Sequence, residues 1–247
     1  MGKCAFCTHS GKLSAEHIFA RWVRDLFPTK KIAFYIGGTA VRSRRFEAET
    51  IDWNAKVACA NCNSTWMSDI EVTHGKPVMT PLIVGEIGVP ITREIARSIA
   101  IYAFKTSVVA NHADRGTEQF FSARLLYAFR SRLDIPANVN IWTCGIKNHR
   151  GAVRVQTVYY SGQLPAAFHW QMYVFTCAIG HFVTQVVAVK QIGEAKFRPL
   201  SGFEGIGIPI WPGIRPNQTW PGRYVLDGGD DFEKFANRWA RVQPILD

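Results

Sequence analysis

Four cysteines fall into two x2-spaced pairs, Cys4/Cys7 and Cys59/Cys62, with 51 residues between the pairs. Two thiolates at that spacing can face one tetrahedral ion at about 2.3 Å from each sulfur. One pair is a weak sign and two are a strong one. A redox dithiol needs only one pair, usually beside a βαβ unit, and no such unit is apparent. The expectation is a structural zinc on Cys4, Cys7, Cys59 and Cys62, closed on all four sides and without chemistry of its own. Polar residues gather around this frame: Glu16 and His17 between the pairs, Asn54 five positions before Cys59, and Asn63 directly after Cys62. A Glu-His pair in isolation reads as a surface carboxylate beside a half-buried histidine. Its place between two cysteine pairs is what singles it out.

The elements that must position these residues are short. Leu13 to Ile18 is apolar at both ends, which predicts a strand with Glu16 and His17 on opposite sides. Phe19, Trp22, Val23, Leu26 and Phe27 recur at helical spacing, and Pro28 ends that helix. From Cys59 onward the pattern is helical again, with Trp66, Met67 and Ile70 on one face and Asn63 a turn upstream. A zinc ion would pin the start of this helix and so fix where the Asn63 amide points. Residues 30–50 read as loop or irregular strand with a turn at Gly37-Gly38. They carry Lys30, Lys31, Arg42, Arg44 and Arg45, either a phosphate-contacting flap or a solvated loop.

Residues 77–91, rich in Pro and Gly, predict an extended linker and a domain boundary. Beyond it, Thr92 is the expected N-cap of a helix over 93–111, apolar nearly all round and therefore buried, though interrupted by Arg97 and Lys105. A second helix is expected over 118–133, capped by Thr117. Strands follow over 138–144 and 153–160, then a hairpin of 168–178 and 182–190, then 206–211. A short amphipathic helix over 231–242 carries Phe232, Phe235 and Trp239. Cys144 and Cys177 lie in apolar strands as small core residues. His74, His112, His149, His169 and His181 have no partner spacing. The fold class expected is α+β, with a zinc-stabilised unit at 1–76, the linker at 77–91, and at 92–247 a helical segment leading into a mostly antiparallel β domain.

The chain has 247 residues, 47% hydrophobic, with eight tryptophans, which excludes disorder. No apolar run approaches membrane-spanning length and no signal-peptide core is present, so a cytoplasmic protein with no membrane partner is expected. The net charge of +10 favours polyanionic partners.

The order Cys-x2-Cys, Glu-His, Asn, Cys-x2-Cys-Asn resembles the HNH endonuclease family of the ββα-metal fold. The resemblance covers residues 1 to about 75, and the phrase CANCNSTWMSDIE looks like bacterial members with a longer C-terminal region. It implies that Glu16 and Asn63 ligate a catalytic Mg2+ or Mn2+, that His17 is the general base, and that Asn54 holds the His17 ring. Two features depart from the family pattern: Glu stands where Asp is commoner, and 36 residues separate His17 from Asn54. The implied activity is metal-dependent hydrolysis of DNA phosphodiester bonds, nicking or cutting both strands, plausibly in defence against foreign DNA. Residue chemistry agrees: imidazole titrates across neutrality, and Mg2+ prefers few protein ligands, all oxygen. RNA is the second candidate substrate, and the C-terminal region could serve substrate selection, homodimerisation or partner docking. The alternative is a non-catalytic, zinc-supported module that binds nucleic acid or protein. Such a module has no use for Glu16, His17 and Asn63 together.

Overall fold

The computed structural model describes residues 2–27, 32–114, 119–149, 152–164, 168–191, 196–199, 205–213, 215, 217–240 and 242–245. Its centre is an eight-stranded sheet. Seven strands run in the order Ile208–Trp211, Val139–Lys147, Phe182–Gln191, Phe168–Ile179, Val153–Leu164, Ile32–Gly38, Arg44–Ala48, and Val225–Asp227 pairs alongside Val139–Lys147. Neighbours are antiparallel except at two places. Ile32–Gly38 runs parallel to Val153–Leu164, and Val225–Asp227 runs parallel to Val139–Lys147.

Both faces of this sheet are covered, because its strands are apolar on both sides. Along Phe168–Ile179, Tyr173, Phe175, Cys177 and Ile179 join the main core, where the Arg93–Ala113 helix packs. The alternate residues Met172, Val174 and Ala178 face the other way, toward Trp239 and the Gly228–Ala236 helix. The Arg93–Ala113 helix is as expected: Thr92 caps it, accepting from the Ile95 N–H at 3.3 Å, and an apolar circumference buries its middle. The hairpin turns at Gly180-His181, within a residue of the expected place. Cys144 and Cys177 are buried, free core thiols. Among the described residues no helix is long and apolar enough to cross a membrane.

Three local expectations change. Residues 30–50 are not chiefly loop: Ile32–Gly38 and Arg44–Ala48 form an antiparallel pair at the edge of the sheet. The 77–91 segment is not an extended linker: Lys76–Val84 is helical and buries Met79, Leu82 and Ile83. Pro77 sits in its first turn, where a missing N–H costs nothing, and Glu71–Gly75 before it is a wide π turn. The sheet therefore draws strands from both sides of residues 77–91. The second helix is Ala123–Arg132, capped by Ser122, while Thr117 lies outside the described residues.

The N-terminal frame is an antiparallel pair, Leu13–His17 with Asn54–Cys59, followed directly by a helical run over 60–84. A bulge between Ser14 and Ala15 shifts the register on the facing strand past Val57. The Val57 carbonyl accepts the Ala5 N–H at 2.9 Å, which ties the first cysteine loop to the second.

Candidate functional site

The two cysteine pairs close on each other. The Sγ atoms of Cys4, Cys7, Cys59 and Cys62 all lie within 4.8 Å of one another, and Cys7 Sγ is 3.7 Å from Cys59 Sγ. Four sulfurs about 2.3 Å from a central ion form a tetrahedron with edges of about 3.8 Å, so the separation fits one metal. The Cys59 N–H points to Cys4 Sγ at 3.3 Å, the kind of N–H···S contact that stabilises a ligating thiolate. Cys4, Cys59 and Cys62 are buried and none of the four is oxidised. Burial pushes the Cys62 thiol up to about 12. A metal ion bound by such a cage would hold its thiolates ionised. Among the described residues this is the one group of three or more Cys, His, Asp or Glu side chains placed to share an ion.

Beside the cage the strand pair and the helical run enclose a cleft of about 410 Å3. Ser14, Glu16 and His17 from the first strand, and Asn63 and Glu71 from the helical run, line it. Three of the four polar residues singled out in the sequence thus meet at one wall. Asn63 directs both amide hydrogens back at the strand, to Ser14 Oγ at 3.2 Å and the Ala15 carbonyl at 3.4 Å. Its Oδ1 is the atom left to face the cleft. The cage fixes this geometry, since Cys62 immediately precedes Asn63.

Glu16 turns inward and is only 4% exposed, whereas the His17 side chain is 41% exposed. Burial raises the Glu16 carboxyl above its ordinary range, and the ammonium of Lys105 pulls it back. Lys105 Nζ lies 2.5 Å from Glu16 Oε1 and 2.8 Å from Glu71 Oε1, and is itself wholly buried. The two acids hold Lys105 protonated, above its ordinary range, against the opposing effect of desolvation, which is the largest single influence on it. A carboxylate and an amide oxygen at an open cleft are the donors that Mg2+ or Mn2+ accepts, with water completing the shell. Glu16 and Asn63 fit such an ion in donor type, with one Glu16 oxygen already held by an ammonium.

The His17 ring has a different neighbour from the expected one. Its Nδ1 is 3.0 Å from Asp52 Oδ1, at ion-pair range though oblique for a hydrogen bond. Arg24 lies 3.9 Å from the same oxygen. Asn54 pairs with His17 through the strand backbone, but its side chain is exposed and makes no hydrogen bond among the described residues. The sequence signal for Asp52 was its position two residues before Asn54, on the approach to the same strand. Glu71, eight residues past Asn63 on the same helical run, and Lys105, on the Arg93–Ala113 helix, were given no role by the sequence pattern.

The basic segment does not line the cleft. Arg42, Arg44 and Arg45 are exposed on or just before the edge strand of the large sheet. Arg45 is committed to Glu233 at 3.0 Å. Lys30 and Lys31 lie outside the described residues. The Phe34 ring links that edge to the cleft region, packing on Phe46 at 4.5 Å and on Trp53 at 4.4 Å.

Compared with known proteins, the chain matches no family model, no curated protein and no solved structure.

Proposed function

We propose that the protein is a divalent-metal-dependent endonuclease of HNH type that hydrolyses DNA phosphodiester bonds. One observation carries the reading: Glu16, His17 and Asn63 converge on one cleft that abuts a four-cysteine cage. The strand pair followed by a helical run supports a ββα-metal arrangement. The cage is read as a structural zinc site, because four thiolates in tetrahedral array suit zinc and leave no open position.

In this reading Glu16 and Asn63 would hold a Mg2+ or Mn2+, which would supply positive charge to the phosphate and the leaving oxygen. His17 removes a proton from water. A proton on Nδ1 facing Asp52 leaves Nε2 as the basic nitrogen, and Asp52 steadies the imidazolium that forms. The net charge of +10 supports a polyanionic substrate. Within the basic segment, Arg42 and Arg44 are exposed at the sheet edge and could contact phosphates away from the cleft, whereas Arg45 is held by Glu233.

The second reading, a zinc-supported binding module without cleavage, is favoured by a specific observation: the Lys105 ammonium already neutralises Glu16. Plasmid nicking with Mg2+ or Mn2+ separates the two. Wild type is expected to nick and His17→Ala to lose at least about a hundredfold in rate. Equal cleavage by His17→Ala defeats the nuclease assignment, and DNA binding without cleavage in any divalent metal establishes the module.

A further inference from the structure

Lys105 lies at the centre of the Arg93–Ala113 helix, fully buried, yet its amine reaches two carboxylates that open onto the cleft. An isolated buried ammonium loses its hydration without compensation, so it persists only where anions hold it. Glu71 does so through a hydrogen bond to its Oε1 and Glu16 through an ion-pair contact at its Oε1. A pair of carboxylates sharing one cation at the wall of a solvent-open cleft is the donor arrangement of a divalent-ion site. Here the cation between them is covalently tethered to a helix that also packs on the large sheet.

We propose that Lys105 is a positioning residue that sets the cation affinity of the cleft, its ammonium competing with a divalent ion for Glu16 and Glu71. The inference rests on the nuclease reading for the role of Glu16, and it adds Glu71 as a further donor to the ion. With Lys105 in place the two acids and the ammonium carry one net negative charge. A divalent ion then gains only the remaining oxygens of the pair and Asn63. With the ammonium removed, the same two acids present two uncompensated charges at the cleft and bind a hard cation more tightly.

The experiment is a Mn2+ titration of the full chain, read from the disappearance of the paramagnetic resonance signal of free aqueous Mn2+. Lys105→Met keeps most of the side-chain volume and removes the charge. It is expected to bind Mn2+ at least about tenfold more tightly than wild type, and to gain more thermal stability from saturating Mn2+. Glu71→Gln, which leaves Lys105 paired with Glu16, is expected to weaken Mn2+ binding about tenfold. Unchanged or weaker Mn2+ affinity in folded Lys105→Met overturns the competition. If Lys105→Met does not fold, Glu71→Gln decides: unchanged Mn2+ affinity there overturns the proposal. A purely structural salt bridge would lower the stability of both variants without tightening Mn2+ in either. Plasmid cleavage by wild type is scored in parallel. Its absence defeats the nuclease reading, while the Mn2+ affinities still report on Lys105 and Glu71.

Discussion

The cysteine cage and the neighbouring cleft share a strand pair and one helical run, yet they are built in opposite ways. The cage takes its four groups from an N-terminal loop and from a strand-to-helix junction, where x2 spacing brings each pair together, and the Val57 carbonyl at the bulge joins the two. Its atoms are of one kind, mostly buried and turned on one another. The cleft takes three groups from the same strand and helix but is completed from outside. Asp52 comes from the approach to the second strand, Glu71 from two turns further along the helical run, and Lys105 from the helix beyond it. Its charges are of both signs and it opens to solvent. A closed metal cage can be specified by spacing, because tetrahedral sulfur geometry is indifferent to the rest of the fold. A cleft with a buried ammonium at its base exists only after the Arg93–Ala113 helix has docked.

The sharpest way to break this contrast is to remove metal from the cage. Chelation, or Cys59→Ser, is expected to unfold the frame that holds the cleft, since structural zinc in small domains contributes on the order of 10–16 kcal/mol. The check is one zinc per chain by elemental analysis, lost together with the near-ultraviolet signals of Trp22, Trp53 and Trp66. Full retention of those signals in metal-free protein would show that the four thiols are core residues rather than ligands.

Legibility followed the same division. The cysteine quartet, the Leu13–His17 strand, the Thr92 cap and the hairpin turn at Gly180-His181 were readable, because each depends on neighbours close in sequence. The helix at Lys76–Val84 was not, since Pro77, Pro81 and Gly85 read as breakers. Pro77 is harmless in a first turn, and Gly85 ends the helix in a left-handed conformation, φ 89°. The strands at 32–38 and 44–48 read only as loop or irregular strand, because Ile32–Gly38 is fixed in the sheet by Val153–Leu164, more than a hundred residues away. In the site, Glu16, His17 and Asn63 were legible. Lys105 was read as an interruption of an apolar helix, when it is the buried partner of the most distinctive acid in the chain.

A second test separates the chemistry of the cleft from the stability of the sheet. Asp114 is 2% exposed and accepts from the Tyr159 hydroxyl at 2.7 Å. Burial pushes its carboxyl from 3.8 up to about 7. The folded chain therefore holds this proton more tightly than the unfolded chain. Below about pH 4 both forms are protonated and nothing is lost. As pH rises toward 7 the unfolded form ionises first, and stability falls by about 4 kcal/mol in total. Urea midpoints at pH 4, 5.5 and 7 should decline in wild type and flatten in Asp114→Asn. Activity profiles of the two proteins should differ only where unfolding intrudes, which isolates what His17 contributes.

The finest test concerns the His17 ring, where the family pattern and the geometry disagree. The pattern gives the ring to Asn54; the structure sets Asp52 against Nδ1 at 3.0 Å and leaves the Asn54 side chain exposed. A carboxylate facing one nitrogen of a working imidazole fixes its tautomer and raises its basicity, and removing such a partner typically lowers activity about 10- to 100-fold. On the proposed nuclease reading, Asp52→Asn is expected to lower plasmid nicking within that range. Asn54→Ala removes an exposed amide that makes no hydrogen bond among the described residues, so a change of no more than about twofold is expected. Both variants keep the strand pair, because His17 sits opposite Asn54 in the backbone register and the adjacent Ile18 N–H donates to the Trp53 carbonyl at 2.9 Å. If Asn54→Ala instead loses as much as Asp52→Asn, the ring must turn toward the amide when substrate binds. The Asp52 contact would then belong to a resting arrangement, and the cleft would be as flexible at His17 as the cage is rigid at Cys62.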